Sequence, residues 1–280
     1  MTLERPNPRS ALAAHRANGR AWWQTSISDV SDGKITVRGQ AIEDLIPSTG
    51  FVQHLVFLCC GRQLTRAEAR LLEAAMVAAA DHGPLAPSIA AARMAATCGV
   101  TFNSAIATGI NMLGDDHGGA AGNATRLLLA VEVASRDVGL QKAAVDHIRD
   151  TRARGARVPG YGHQLHRTDP RRQPLLAMLE AAVADGHITG NYLTVALAIE
   201  SALDDVVGRP VPLNIDGLWG IACCELDLPP DFAMGAFCLS RGAGIVAHAY
   251  EESTSGVRIK GPCPPDDGLV RYVGVEPTSD

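Results

Sequence analysis

From Ile42 nearly to the C-terminus, apolar residues return every three to four positions, a spacing that suits packed α-helices. The stretch 65–83 is the clearest case. Thr65 and Glu68 form a capping box, and Leu71, Leu72, Ala75, Met76 and Ala79 make one apolar stripe. Gly83 and Pro84 stop the helix and leave His82 at its C-terminal end. Further helices are expected over 87–96, 103–113, 119–135, 143–152, 175–185, 193–207, 219–226 and 231–252. Only residues 22–38 read otherwise: Ser31-Asp32-Gly33 followed by alternating Ile35 and Val37 signals a hairpin. The tail, 253–280, is rich in Pro, Gly and Asp and reads as extended. The fold class is therefore all-α with a small N-terminal β hairpin. Aromatics are only 4% against 28 glycines, so the helices must pack closely through small side chains.

Charge narrows the partners. The net charge is −5 with 20% charged residues, which gives no basic field for nucleic acid or an anionic membrane. No segment offers ~20 uninterrupted apolar residues. Residues 1–20 carry Arg5, Arg9, Arg16 and Arg20 with no apolar run behind them, which reads as a loosely ordered arm and not as a secretory signal or anchor. The seven cysteines include Cys59-Cys60 and Cys223-Cys224 in apolar surroundings; buried, reduced thiols and a reducing cytoplasm are expected.

Four polar clusters interrupt the apolar pattern: ADHGPLAPS around His82, DDHGGAAG around His117, VPGYGHQLHRTDPR with His163, His166, Arg167 and Arg171, and NIDGLWG with Asp216. Each alone has a plain structural explanation. A histidine at a helix end caps free carbonyls, and an Asp before Gly is a common turn residue. His163 and His166 have metal-pair spacing, but no Cys or carboxylate at zinc-like spacing accompanies them, so no metal is expected. Together the clusters suit proton transfer beside a carbonyl. Histidine titrates near neutrality, glycine lets a substrate approach the backbone, and arginine grips carboxylates and phosphates. Motifs GxGxxG, GxxxxGK[ST] and GxSxG are absent, so nucleotide hydrolysis and α/β-hydrolase chemistry lack support.

These clusters resemble the signatures of the citrate synthase superfamily. GYGHQLHRTDPR is similar to its Gly-aromatic-Gly-His turn followed by Asp-Pro-Arg, DDHGGAAG to its first histidine turn, and NIDGLWG to its aspartate segment. FCLSRGAGIVAHAYEE resembles the late helix with a substrate-binding arginine, and ITVRGQAIEDLI the early β hairpin and helix. Short members of the superfamily include citryl-CoA lyases, and the opening WWQTSIS and compact length lean that way. The loop from His163 to Asp-Pro-Arg is one residue shorter than the common pattern, and the tail lacks a clean Arg-Pro.

The resemblance implies large and small helical domains, residues 1–118 with 219–280 and residues 119–218 respectively. It implies an enzyme that makes or breaks the C–C bond between acetyl-CoA and oxaloacetate, as in the tricarboxylic acid cycle. His117 would hydrogen-bond the thioester oxygen, His163 would serve the oxaloacetate carbonyl, and Asp216 would move the methyl proton. His82, Arg171 and Arg241 would hold substrate carboxylates, and Arg167 a CoA phosphate. The 158–162 loop, with Val158, Gly160 and Gly162, would face the rest of CoA. A tail residue from a second subunit (Arg258, Lys260 or Arg271) would complete the site of a homodimer. The thioester is a substrate, and no bound cofactor or metal is implied. The alternatives are a 2-methylcitrate synthase-type enzyme using propionyl-CoA and a non-catalytic CoA- or citrate-binding regulator. For the enol chemistry His117 must be neutral, and His82 or a helix N-terminus would help keep it so.

Overall fold

The computed structural model describes residues 22–162, 169–264, 268–271 and 273–274, so the N-terminal arm expected over 1–20 lies outside the described residues. Two compact units emerge, Met1–Leu64 and Thr65–Asp280. In the first, strands β1 (Ser28–Ser31), β2 (Lys34–Val37) and β3 (Gln40–Ala41) form an antiparallel sheet in that order. Asp29 pairs with Thr36, and Val37 pairs with both Ser28 and Gln40. The expected hairpin thus gains a third strand, because Arg38 and Gly39, both at positive φ, reverse the chain a second time. Helices α1 (Ile42–Ser48) and α2 (Phe51–Cys60) follow. Val37, Leu45 and Phe57 form the small core here, and the Arg38 guanidinium caps α2 by donating to Leu58 O at 2.8 and 3.0 Å.

The second unit holds nine described helices: α3 (Arg66–Ala80), α4 (Pro87–Thr97), α5 (Phe102–Asn111), α6 (Ala120–Val138), α7 (Leu140–Ala153), α8 (Arg172–Ala184), α9 (Asn191–Val207), α10 (Ile215–Glu225) and α11 (Pro230–Thr254). Thr65 and Glu68 do form the capping box of α3. Helix α11 packs against α3, α4, α5, α6 and α10. Its contact with α4 and α5 is built from Ala86, Ile89, Ala92, Ala105, Ile245 and Ala249, all buried. Small side chains let these axes approach closely, which is how a chain with few aromatics fills its interior. By mean hydropathy, 1.2, α11 is long and apolar enough to cross a membrane, which the sequence reading did not anticipate. Half of that stretch is buried within the protein, however, and Arg241 and Glu252 on the same helix are buried and ion-paired or hydrogen-bonded, as in a core helix.

Cys223 and Cys224 are buried as expected, with the Cys224 thiol pushed up to about 12 by desolvation. Cys59 departs from expectation: it is exposed and Cys60 only half-buried, since both fall in the last turn of α2.

Glu225, at the end of α10, anchors the start of α9. Its carboxylate accepts from the backbone amides of Thr189, Gly190, Tyr192 and Leu193 and from Thr189 Oγ1, between 2.7 and 3.3 Å. It thereby satisfies donors that a helix start leaves open. Glu225→Ala should lower unfolding stability by about 2–4 kcal/mol in urea titrations and leave turnover per folded molecule unchanged.

Candidate active site

The site is built at the C-terminal end of α3, within the second unit. A helix end presents carbonyl oxygens without intrahelical partners and a partial negative charge. Here two arginines meet it. Arg171 donates from a terminal nitrogen to Ala78 O at 3.1 Å, and Arg241 donates from Nε to Ala79 O at 2.9 Å. Arg241 is 5% exposed and lies 5.3 Å from the Phe237 ring centroid; Phe237 in turn meets Trp219 edge-on at 5.7 Å. Both arginines thus cap the helix, a role the sequence suggested for a histidine, and each cap uses only part of a guanidinium with five donors.

Asp169 fixes Arg171. Its carboxylate takes Arg171 Nε at 2.9 Å and a terminal nitrogen at 2.8 Å, and also accepts from the Arg171 amide at 3.0 Å. The same carboxylate accepts from the Ile215 amide at 3.3 Å, so one buried anion ties the Asp-Pro-Arg segment to the start of α10. Desolvation pushes the Asp169 carboxyl up, but its bonds to Arg171 and Ile215 more than offset this and hold it below the ordinary value.

Asp216 occupies the first turn of α10. The sequence reading began this helix at 219 and offered a turn as the plain explanation of Asp216; instead Asn214 caps the helix, its side chain accepting from the Asp216 and Gly217 amides at 2.9 and 3.2 Å. An Asn directly before an apolar run is the signal that would have placed the start correctly. Asp216 keeps some accessible surface, yet dense protein around it raises its carboxyl to about 6. Desolvation is the main cause, opposed by the positive charges of Arg171 and Arg241 and assisted by Asp169.

The 158–162 segment lies under this helix. Gly160 O accepts from the Asn214 amide, Gly162 N donates to Pro212 O, and Asn214 Nδ2 donates to Gly162 O at 2.7 Å. Gly160 has φ +88°, and a Cβ there would sit 2.8 Å from Gly217 Cα, so only glycine permits this approach. Val158 is buried. Gly160 and Gly162, expected with Val158 to face CoA, also brace the start of the helix that carries Asp216.

His117 stands on the turn between α5 and α6, closed by Gly114 N to His117 O at 2.8 Å. Gly118, at φ +94°, packs so near Leu113 and Phe237 that a side chain would crowd both. The ring Nε2 receives the Ser88 amide at 3.2 Å and lies 2.9 Å from Ser88 Oγ. An amide only donates, so Nε2 is an acceptor and the ring hydrogen sits on Nδ1. Desolvation, and then the charge of Arg241, push the His117 pKa down. The N-terminus of α4 at Nε2 acts in the same direction. Of the two neutralising influences the sequence suggested, the helix N-terminus is present; Ser88 itself was missed, although Pro87 before it marks a helix start.

His117, Arg171, Arg241 and Asp216 are thus brought into one electrostatic cluster. His82 is exposed just beyond α3, next to Asp81, whose charge is felt by Arg241. Lys260 lies elsewhere in its own chain: its Nζ is 3.4 Å from Glu252 and its amide donates to Thr97 Oγ1. Arg258 and Arg271 are exposed. His163, His166 and Arg167 lie outside the described residues. Among the described residues no group of three or more His, Cys, Asp or Glu could hold a metal ion.

Comparison with known proteins supplies the context. Residues 47–262 match the family described as citrate synthase, C-terminal domain. Citrate synthase of Haloferax volcanii is 27% identical over 219 residues, 77% of this chain and 55% of that protein. The chain spans just over half the length of this and the other leading curated relatives. Among solved structures, citryl-CoA lyase from Hydrogenobacter thermophilus superposes with a TM-score of 0.81 and 27% identity, over 92% of this chain and 97% of that one. Citrate synthase from Pyrobaculum aerophilum gives 0.61 at 25% identity, over 81% and 56%.

The raised Asp216 carboxyl has a consequence for stability. Its folded value lies above the unfolded value of about 4, so its contribution is fully present below pH ~4 and is lost as pH rises through about 6. Asp216→Asn removes this loss. Its stability relative to the parent protein should grow across that window and level off at about 2–3 kcal/mol, as read by urea unfolding at a series of pH values.

Proposed function

The chain belongs to the citrate synthase family, and from that premise we propose that it cleaves citryl-CoA to acetyl-CoA and oxaloacetate through an acetyl-CoA enol. The observation that carries the chemistry is the grouping of Asp216, at a pKa of about 6, with neutral His117 and two capping arginines. The lyase direction is favoured by the better superposition on a citryl-CoA lyase, with a TM-score of 0.81, than on the citrate synthase of Pyrobaculum aerophilum, with 0.61, at similar identity. The likeness to citrate synthases keeps net synthesis as the second reading; synthesis adds hydrolysis of the citryl thioester.

In cleavage, His163 takes the hydroxyl proton of citryl-CoA, the alkoxide collapses to the ketone of oxaloacetate, and the C–C electron pair moves into the thioester. His117, through Nδ1–H, donates to the oxygen where charge develops. Asp216, as the acid, delivers its proton to the methylene carbon and completes the acetyl methyl. A carboxyl near 6 holds and releases a proton at neutral pH far more evenly than an ordinary aspartate. A neutral imidazole donor is matched to an enol, and removing such a donor costs about 10²–10³ in rate. Arg171, Arg241 and His82 bind the carboxylates of the oxaloacetate half, and Arg167 a phosphate of CoA. Residues 119–218 serve as the smaller domain and close on the rest to exclude water. The enzyme works as a homodimer in a reducing cytoplasm, a partner's tail cation completing each site.

Incubation with citryl-CoA should yield acetyl-CoA and oxaloacetate in equal amounts; acetyl-CoA plus oxaloacetate giving free citrate and CoA at the faster rate would replace lyase with synthase. Asp216→Asn should cut turnover by about 10²–10⁴ while CoA and oxaloacetate still bind. A turn-forming Asp216 would instead tolerate Asn and stay active.

A further inference from the structure

Helix α11 carries a second polar residue toward the end of α3. Arg241, Gly244 and His248 follow at helical spacing along one face of it. Gly244 permits the approach: a Cβ there would lie 2.3 Å from Ala80 O. One turn on, His248 Nε2 is 3.2 Å from Asp81 Oδ1. The other ring nitrogen, Nδ1, is 2.9 Å from an Arg93 terminal nitrogen. Arginine has donors only, so Nδ1 must accept and the ring hydrogen belongs to Nε2, where it donates to Asp81. Arg93 is held in its turn by Glu251 at 2.5 Å and by the buried carboxylate of Glu252, which Lys260 also approaches. At the far end Asp81 Oδ1 also accepts from the Gly83 amide at 3.3 Å. A chain of ion pairs and hydrogen bonds therefore runs from two glutamates through Arg93 and His248 to the turn at 81–83.

We infer that His248 is a positioning residue for the oxo-acid end of the site: through Asp81 it fixes the turn that presents His82, with Arg93 setting its tautomer. The inference rests on the proposed reading of His82 as a ligand for an oxaloacetate carboxylate. His248 touches no substrate itself. The arrangement repeats what outer hydrogen-bond partners do for ligating histidines at metal sites, where their loss costs about 10–100-fold in affinity. The charges around the ring (Asp81 from the turn, Arg93 from α4, Glu251 from its own helix) leave the acceptor of the Nε2 hydrogen unambiguous.

The test uses the full chain and titration calorimetry with oxaloacetate and with CoA, alongside turnover at saturating substrate. His248→Ala and Asp81→Ala should each weaken oxaloacetate binding about tenfold and leave CoA binding and saturated turnover within about twofold. His248→Gln keeps a donor near the Nε2 position, and Asp81→Asn keeps an acceptor; both should restore oxaloacetate binding. His82→Ala is the control for the premise: unchanged oxaloacetate binding in that variant refutes the reading of His82. If His82→Ala weakens oxaloacetate while His248→Ala and Asp81→Ala bind it normally, the positioning role is overturned. Equal loss of CoA and oxaloacetate binding, or no rescue by the conservative variants, also overturns it. Should His248→Ala fail to fold, Asp81→Ala decides the question, because that side chain is half exposed.

Discussion

The end of helix α3 is the constraint on which the site depends. Three carbonyls in its last turn, Ala78, Ala79 and Ala80, would be left without partners in the interior of a helical protein. Arg171 and Arg241 take two of them, and the backbone of α11 closes over the third at Gly244. Two cations are thereby fixed side by side; desolvation above all, and then the charge of Arg171, push the Arg241 pKa down, while Asp216 and Asp81 oppose this. A buried guanidinium beside a half-buried one is a costly arrangement unless anions meet it. Asp169 and Asp216 are the anions the protein supplies, and their fates differ. Asp169 is saturated by Arg171 and the Ile215 amide and is held low; no side-chain hydrogen bond to Asp216 is recorded among the described residues, and desolvation drives it up. One carboxylate builds the frame and the other is left able to move a proton.

The local features of this protein were legible because their causes are local. The capping box at Thr65 and Glu68, the Gly83 stop and the helical periods need only neighbours in the sequence. The helix order matched with ends displaced by a few residues, as at α10, where Asn214 starts the helix earlier than the apolar run suggests. The third strand escaped because two positive-φ residues at Arg38 and Gly39 look like an ordinary connector. Cys59 escaped because an apolar neighbourhood in sequence says nothing of which side of the last turn meets solvent.

What the sequence could not show is how distant residues fix one another. Ser88 lies 29 positions from His117, Ala78 lies 93 from Arg171, and Ala79 lies 162 from Arg241. No period or spacing encodes such pairs. Resemblance to a family named His117, Arg171, Arg241 and Asp216 together, and the fold supplies the reason: one helix end gathers the arginines, one helix start fixes the tautomer of the histidine, and one capped turn seats the aspartate. Gly160 and Gly162 show a second duty, since residues that the resemblance marks for CoA also brace the start of the helix that carries Asp216.

The central claim is that Asp216 transfers a proton at the acetyl carbon. The most direct measurement is exchange of solvent deuterium into the methyl group of acetyl-CoA, followed by mass spectrometry or NMR with a non-reacting oxaloacetate analogue bound. The account predicts exchange with the parent protein, its loss in Asp216→Asn, and partial retention in His163→Ala, because enolisation does not require the second carbonyl. Undiminished exchange in a folded Asp216→Asn protein would contradict it.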